Sequence, residues 1–348
     1  MKKRHQTCFG LGWYLLAIAL TALVMLLCVC AGSVSLPIGE SADVLLRLIT
    51  GRAQDSAGMA AKIILPVRLP RVLCVALVGA LLSLCGACMQ GLLRNPLADG
   101  STLGVNSGAS LGAVIAIASG FTLPGFPFAG TMVLAILFAF GSLVFVMALV
   151  YSLDQSLSTN TIILLGVIFS MFASSISNFI ITFAGEKVKT ITFWTLGSLQ
   201  GSSYQNALVL AVTLVLCCAA LLTHTRELNA FAISEDNARS IGVDVRRVKL
   251  LVLIVVSAAI GVCVSISGNI GFVGLVTPHM LRRIVGPNHR RLLPACVFGG
   301  AIFLMFADLT ARVALRPREL PIGVITSFVG SIVFVFIYCR SRRKGAVL

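Results

Sequence analysis

Four short polar side chains, Ser170, Ser174, Asn178 and Thr182, recur every fourth residue within an apolar stretch, so they share one face of a helix. Such groups neither attack nor titrate near neutral pH; they offer hydrogen bonds. In hydrocarbon, a stripe of this kind either bonds to neighbouring helices or borders water, and an amide as central as Asn178 is costly against lipid. We read the stripe as the wall of a passage. Asp308 and Arg312 lie four residues apart, a spacing that pairs them along one helix face. Cys85 with Cys88, and Cys217 with Cys218, lie in apolar runs with no second ligand pair nearby, so buried packing is expected of them rather than metal or redox chemistry. His279 follows Pro278 and reads as a packed, hydrogen-bonded imidazole rather than a metal ligand. The sequence has no Gly-Lys dipeptide and no His-Glu-x-x-His, which excludes a phosphate-cradling Walker A loop and a zinc protease helix. No catalytic residue, metal site or cofactor is expected.

The elements that carry these residues are long apolar helices. Of 348 residues, 58% are hydrophobic and 11% charged, against roughly 25% charged in soluble domains. A helix crosses the hydrocarbon core in about 20 apolar residues. Ten candidate spans result, near residues 12–34, 68–90, 102–119, 128–151, 161–183, 204–223, 248–267, 271–285, 292–313 and 322–339. The eighth is the shortest. We therefore expect an all-α, polytopic membrane bundle of about ten helices, forming one domain over residues 1–348. The first stretch exceeds the 7–15 residues of a signal-peptide core and reads as a retained span.

The net charge of +15 reflects topology rather than nucleic-acid binding, because few aromatics accompany the basic residues. Lys2, Lys3 and Arg4 open the chain, and Arg340, Arg342, Arg343 and Lys344 nearly close it. The positive-inside rule then places both termini in the cytoplasm. Residues 35–67 form a long outer segment with an amphipathic piece near 41–49. Residues 224–247 form an inner segment carrying Glu227, Glu235, Asp236, Arg239, Asp244, Arg246 and Arg247, either a docking surface for a soluble partner or a solvated connector. Small residues repeat at four-residue spacing in two spans, as Gly79, Ser83, Ala87, Gly91 and as Gly104, Gly108, Gly112, Ala116, which lets helices approach closely in lipid.

Several motifs fall in order along the chain. They are Arg68-Leu-Pro-Arg71, Gln90-Gly-Leu-Leu-Arg-Asn-Pro-Leu-Ala-Asp99, Leu103-Gly-Val-Asn-Ser-Gly-Ala109, Phe193-Trp-Thr-Leu-Gly-Ser198 and Gly271-Phe-Val-Gly-Leu-Val-Thr-Pro-His279. Ala307-Asp308, Ala311-Arg312 and Glu319-Leu-Pro-Ile-Gly323 complete the series. Together, from about residue 60 to 340, the sequence resembles the FecCD-type permeases of ATP-binding-cassette importers for iron-siderophore, haem or cobalamin complexes. The resemblance implies a bacterial plasma (inner) membrane protein of ten helices per subunit. It implies a second permease subunit in a homo- or heterodimer, two cytoplasmic ATPase subunits and an extracytoplasmic substrate-binding protein.

It also implies residue roles. Ser234, Glu235, Ala238, Arg239, Gly242 and Val243 match the segment that couples to the ATPase, with Gly242 ending its first short helix. Arg68, Arg71 and Arg312 match arginines that face carboxylates of the binding protein, a task suited to the planar guanidinium fork. Ser158, Thr159 and Asn160 match the cytoplasmic gate, where Asn160 is bulkier than the usual small hydroxyl residue. The competing class is an ion-coupled secondary transporter, which would place carboxylates or interrupted helices near the membrane midplane; Asp308 is the only carboxylate within an expected span.

Overall fold

The computed structural model describes residues 9–34, 36–50, 58–123, 129–155 and 157–343; Lys2, Lys3, Arg4 and Lys344 lie outside them. Among the described residues the chain is helical, with an isolated β bridge between Leu315 and Arg318. The helices are α1 (Leu11–Cys30), α2 (Ile38–Ile49), α3 (Met59–Ile63), α4 (Leu69–Leu92), α5 (Val105–Ser119), α6 (Ala129–Leu153), α7 (Thr159–Thr182) and α8 (Val188–Thr195). Then follow α9 (Tyr204–Thr223), α10 (Thr225–Ile233), α11 (Glu235–Ser240), α12 (Val245–Ser267), α13 (Val273–Val285), α14 (His289–Val313) and α15 (Ile322–Arg343).

Helix is the form that lets an apolar segment satisfy its own backbone in lipid, and the polar breaks supply the caps. Ser158, Ser203, Ser234, Asp244 and Asn288 each accept a backbone N–H at the start of α7, α9, α11, α12 and α14. A π turn at Ile64–Arg68 joins α3 to α4. It accommodates Pro66, which has no amide hydrogen to give. Helix α2 is the expected amphipathic piece, with Asp43 and Arg47 paired at 2.8 Å.

Each stretch expected to cross the membrane holds a helix, but the count of about ten crossings is not reached by length and apolarity alone. Among the described residues seven helices are long and apolar enough to cross, while Val105–Ser119 and Ile322–Phe336 are shorter apolar helices. Helix α13, with 13 residues, rises only about 20 Å at 1.5 Å per residue, short of a core about 30 Å thick.

Helix α4 is buried along almost its whole length, with α14, α13, α12 and α9 packed around it. The glycine positions explain how. A Cβ on Gly79 would collide with the carbonyl of Gly300 in α14, and one on Gly86 with the carbonyl of Gly274 in α13. Gly108 and Gly112 of α5 lie as tightly against Phe138, Ser142 and Leu134 of α6. Van der Waals contact at this range replaces the hydrophobic drive that lipid removes.

Substituting leucine at Gly86 or Gly300 should therefore lower stability by about 1–3 kcal/mol or more through overpacking, seen as a lower unfolding temperature in detergent. Gly141→Ala, where a Cβ meets nothing within 4 Å, should be neutral or slightly stabilising, since alanine favours a helix over glycine by about 1 kcal/mol.

Candidate functional site

The candidate residues gather at two ends of the bundle and along α7. At one end, α4 and α14 meet the close of α1. Arg71 donates from Nε and Nη2 to Asp308 Oδ1 at 3.0 and 2.8 Å, and from Nη1 to Glu319 Oε2 at 2.7 Å. Arg312 Nε pairs with Asp308 Oδ2 at 2.8 Å, and its other nitrogens donate to the carbonyls of Ala31 and Cys28 at 2.9 and 3.0 Å. Arg68 donates to the carbonyls of Val29, Cys30 and Val34. Gln200 adds a hydrogen bond to Glu319 Oε2 at 2.7 Å.

The three arginines expected to face a binding protein are thus 5%, 7% and 2% exposed, and Asp308 is 1% exposed. The Asp308–Arg312 pair is present as the spacing required. Arg312, however, turns its remaining donors inward onto α1 rather than outward, because α1 ends in free carbonyls that need partners. The exposed charges beside this cluster are Arg316 and Arg318. Burial pushes the Glu319 carboxyl upward, but hydrogen bonds from Arg71 and Gln200 and the Arg71 charge outweigh it, leaving it below its usual value.

At the other end lie α10, α11 and the starts of α7, α12 and α14. Ser234 caps α11 by accepting from Asn237 N at 2.9 Å. Ala238 is buried, whereas Arg239 and Gly242 are exposed. Gly242, at φ +87, closes the helix in a left-handed conformation, and Val243 N returns to Ala238 O at 3.0 Å. Ile233 and Ile241 are 72% and 64% exposed on this surface. Helix α10 is pinned by Asn229, whose Oδ1 accepts His289 N at 2.8 Å and whose Nδ2 donates to Asn288 Oδ1 at 3.0 Å.

Glu235, expected beside the other coupling residues, instead points into the protein. It meets Lys249 Nζ at 2.7 Å and Thr159 Oγ1 at 3.2 Å. Lys249 is fully buried and also donates to Leu157 O at 2.8 Å. Lys249, the fifth residue of α12, is a signal visible in the sequence, since a charge near the start of an apolar helix requires a partner.

Helix α7 buries Ile162, Gly166 and Ala173 against its neighbours. Ser170 is half-buried; Ser174, Asn178 and Thr182 are exposed, as is Asn160, while Thr159 is half-buried. Met171 shares this face, seven residues before Asn178, and is exposed, as are Phe172 and Phe179 to one side of it. A separate cavity of about 760 Å³ opens at the arginine-rich end, walled by Trp194, Ser198, Gln200, Ser202, Asn206 and Ser267 among others, with no charged side chain and no contribution from α7.

No group of three His, Cys, Asp or Glu side chains fit to hold a metal exists among the described residues. Cys85, Cys88 and Cys217 are buried. His279 is buried too, but against expectation neither ring nitrogen finds a hydrogen-bond partner; its ring lies near Phe334, with centroids 6.2 Å apart. The run Gly108-Ala-Ser110-Leu-Gly112 has the spacing of a serine-nucleophile elbow, yet it lies inside the regular helix α5, not on the strand–turn–helix such a nucleophile requires.

Apolar helices with charge clusters confined to their ends define a polytopic helical membrane protein. A family model described as the FecCD transport family matches residues 20–340, and the chain belongs to that family of ABC importer permeases. It is similar to the uncharacterized ABC transporter permease protein YvrB of Bacillus subtilis (strain 168), with 40% identity over 339 residues, 96% of this chain and 95% of that protein. It is similar also to the vitamin B12 import system permease protein BtuC of Klebsiella pneumoniae, with 35% identity over 347 residues, 99% of this chain and 96% of that one. A solved structure described as a metal-chelate type ABC transporter in an inward-facing conformation superposes with a TM-score of 0.80 and 30% identity, covering 94% of this chain and 98% of the other.

Removing one partner of a buried ion pair leaves an uncompensated charge, which costs about 3–5 kcal/mol. Asp308→Ala should therefore destabilise the purified protein more than Glu319→Ala, whose side chain is less enclosed, as measured by thermal unfolding in detergent. The Glu319–Arg71 contribution should be present above the ordinary carboxylate range and be lost as the pH falls through the lowered Glu319 value.

Proposed function

We propose that this chain is the membrane-spanning permease subunit of an ABC importer that carries a metal chelate of the iron-siderophore, haem or cobalamin type into the cytoplasm. Two permease subunits, identical or not, would sit on two separate ATPase subunits and receive substrate from an extracytoplasmic binding protein. The observation that carries this reading is the uncovered face around α11, where Ile233, Arg239 and Ile241 are exposed together beside the start of α7. An apolar and basic rim of this kind suits a cleft on a soluble partner. The chain has no Gly-Lys dipeptide, so nucleotide must be bound by another chain.

In this reading Ser234, Arg239, Gly242 and Val243 form the coupling surface, while Ala238, expected among them, is buried beneath it and Glu235 lies behind it. Thr159 and Asn160 close the inner end of a pathway lined by Ser170, Ser174, Asn178 and Thr182. Short hydroxyl and amide groups give a bulky chelate a wall that wets without trapping it. The binding protein docks at the opposite end, where Arg316 and Arg318 offer exposed charge while Arg68, Arg71 and Arg312 hold the surface beneath in shape. The ion-coupled alternative lacks support, because Asp308 is buried and paired with two arginines, Arg71 and Arg312, each at 2.8 Å.

Tagged permease, purified from the membrane, should carry with it an ATPase subunit identified by its nucleotide-binding motif. Arg239→Ala and Gly242→Val should each lower uptake by about tenfold, the scale of a coupling free energy between sites, with the permease still present in the membrane. Uptake of a labelled ferric siderophore, haem or cobalamin is the expected substrate result. Undiminished uptake in both variants, or transport of a bare oxyanion in place of any chelate, would contradict the assignment.

A further inference from the structure

Glu235 is the first residue of α11, yet its carboxylate faces away from the exposed surface that α11 presents. Oε1 accepts from Lys249 Nζ at 2.7 Å and from Thr159 Oγ1 at 3.2 Å, and Arg94 Nη2 lies 3.9 Å away. One oxygen thus gathers the start of α12, the first residue of α7 and the loop after α4. These segments are far apart in sequence and close at one point in space.

Lys249 extends the connection by donating to Leu157 O at 2.8 Å. Leu157 sits at φ +54, in the left-handed region, where a branched, bulky residue is disfavoured. The turn between α6 and α7 is further fixed by Asp154 Oδ2, which accepts Ser158 N and Thr161 Oγ1, each at 3.1 Å. A strained turn of this kind persists where its surroundings over-determine it. Lys249 supplies part of that determination from the far side and is itself neutralised by Glu235.

We propose that Glu235 is a transmission residue: its carboxylate, with Lys249 as anchor, links displacement of α11 to the position of Thr159 and the α6–α7 turn. The inference rests on the reading of α11 as the ATPase-facing element and of Thr159 as a gate residue. A charge-assisted hydrogen bond from a buried lysine to a half-buried carboxylate is short and strong enough to carry such motion, whereas α11 and α7 otherwise touch little. The competing role is merely structural, in which Glu235 exists to neutralise a buried lysine.

The two roles separate in a double-substitution experiment on the complete transporter, with ATPase subunits and binding protein, in proteoliposomes. The quantity measured is ATP hydrolysed per substrate transported, using the chelate that the wild type carries. Glu235→Gln should raise this ratio by about tenfold, within the range typical of coupling between sites. Glu235→Gln combined with Lys249→Met, which removes the unpaired charge, should not restore it if the link carries motion.

Thr159→Val, which deletes only the gate hydroxyl, should raise the ratio in the same direction. It also provides the test if the Glu235 variants fail to assemble. An unchanged ratio in Glu235→Gln, full restoration by the double substitution, or an unchanged ratio in Thr159→Val would overturn the proposal. Absence of any ATPase subunit on the wild-type chain would instead remove the reading on which it rests.

Discussion

The approach of backbones around α4 is the constraint on which the arrangement depends. Gly79 and Gly300 bring α4 against α14, and Gly86 and Gly274 bring it against α13, at separations that leave no room for a side chain. In lipid, helices gain nothing by hiding apolar surface from water, so close packing of this kind must hold the bundle. Two consequences reach the functional ends. Arg71 on α4 and Asp308 on α14 meet only because the helices are this near. The end of α4 likewise delivers the loop carrying Arg94 to Glu235.

The two ends use buried charge differently. At one, three arginines, Asp308 and Glu319 tie α1, α4 and α14 to the loop before α15, with the donors satisfied by carboxylates and by the carbonyls that α1 leaves open. Burial of so many ions gives little net stability, but loss of one member is severe, which suits a fixed joint. At the other, a single carboxylate joins segments that have separate roles in the proposed mechanism. Helix α11 is six residues long, and its outer face is uncovered. In the proposed mechanism this short element, exposed on its outer face, moves as a lever tied inward through Glu235, whereas the arginine joint stays fixed.

Much of this was legible in the sequence because hydrocarbon enforces helical periodicity. The stretches expected to span, the small-residue faces of α4 and α5 and the Asp308–Arg312 pair all follow from local spacing, and the resemblance added the helix-ending Gly242. What stayed hidden was non-local. Nothing in the run Arg68-Leu-Pro-Arg71 states that Arg68 will meet carbonyls at the end of α1, or that Arg71 will reach Glu319; both depend on which helices become neighbours. The family resemblance pointed these arginines outward, while the buried geometry points them inward. Glu235 was noticed for its charge, but its direction is set by Lys249, a partner visible only once α11 folds back onto α12. The crossing count does not follow from apolar runs for a physical reason as well, because α13, with 13 residues, is too short to span unaided.

The polar face of α7 is proposed to border a pathway whose access follows the nucleotide state of a partner. Single cysteines at Ser174, Asn178 and Phe172, the last exposed on the other side of the helix, in a background without native cysteines, would be tested with a water-soluble thiol reagent on the assembled transporter, with and without ATP. Labelling at Ser174 and Asn178 that changes with nucleotide, with little at Phe172, is the predicted result. Labelling confined to Phe172, or indifferent to nucleotide at all three positions, would contradict it.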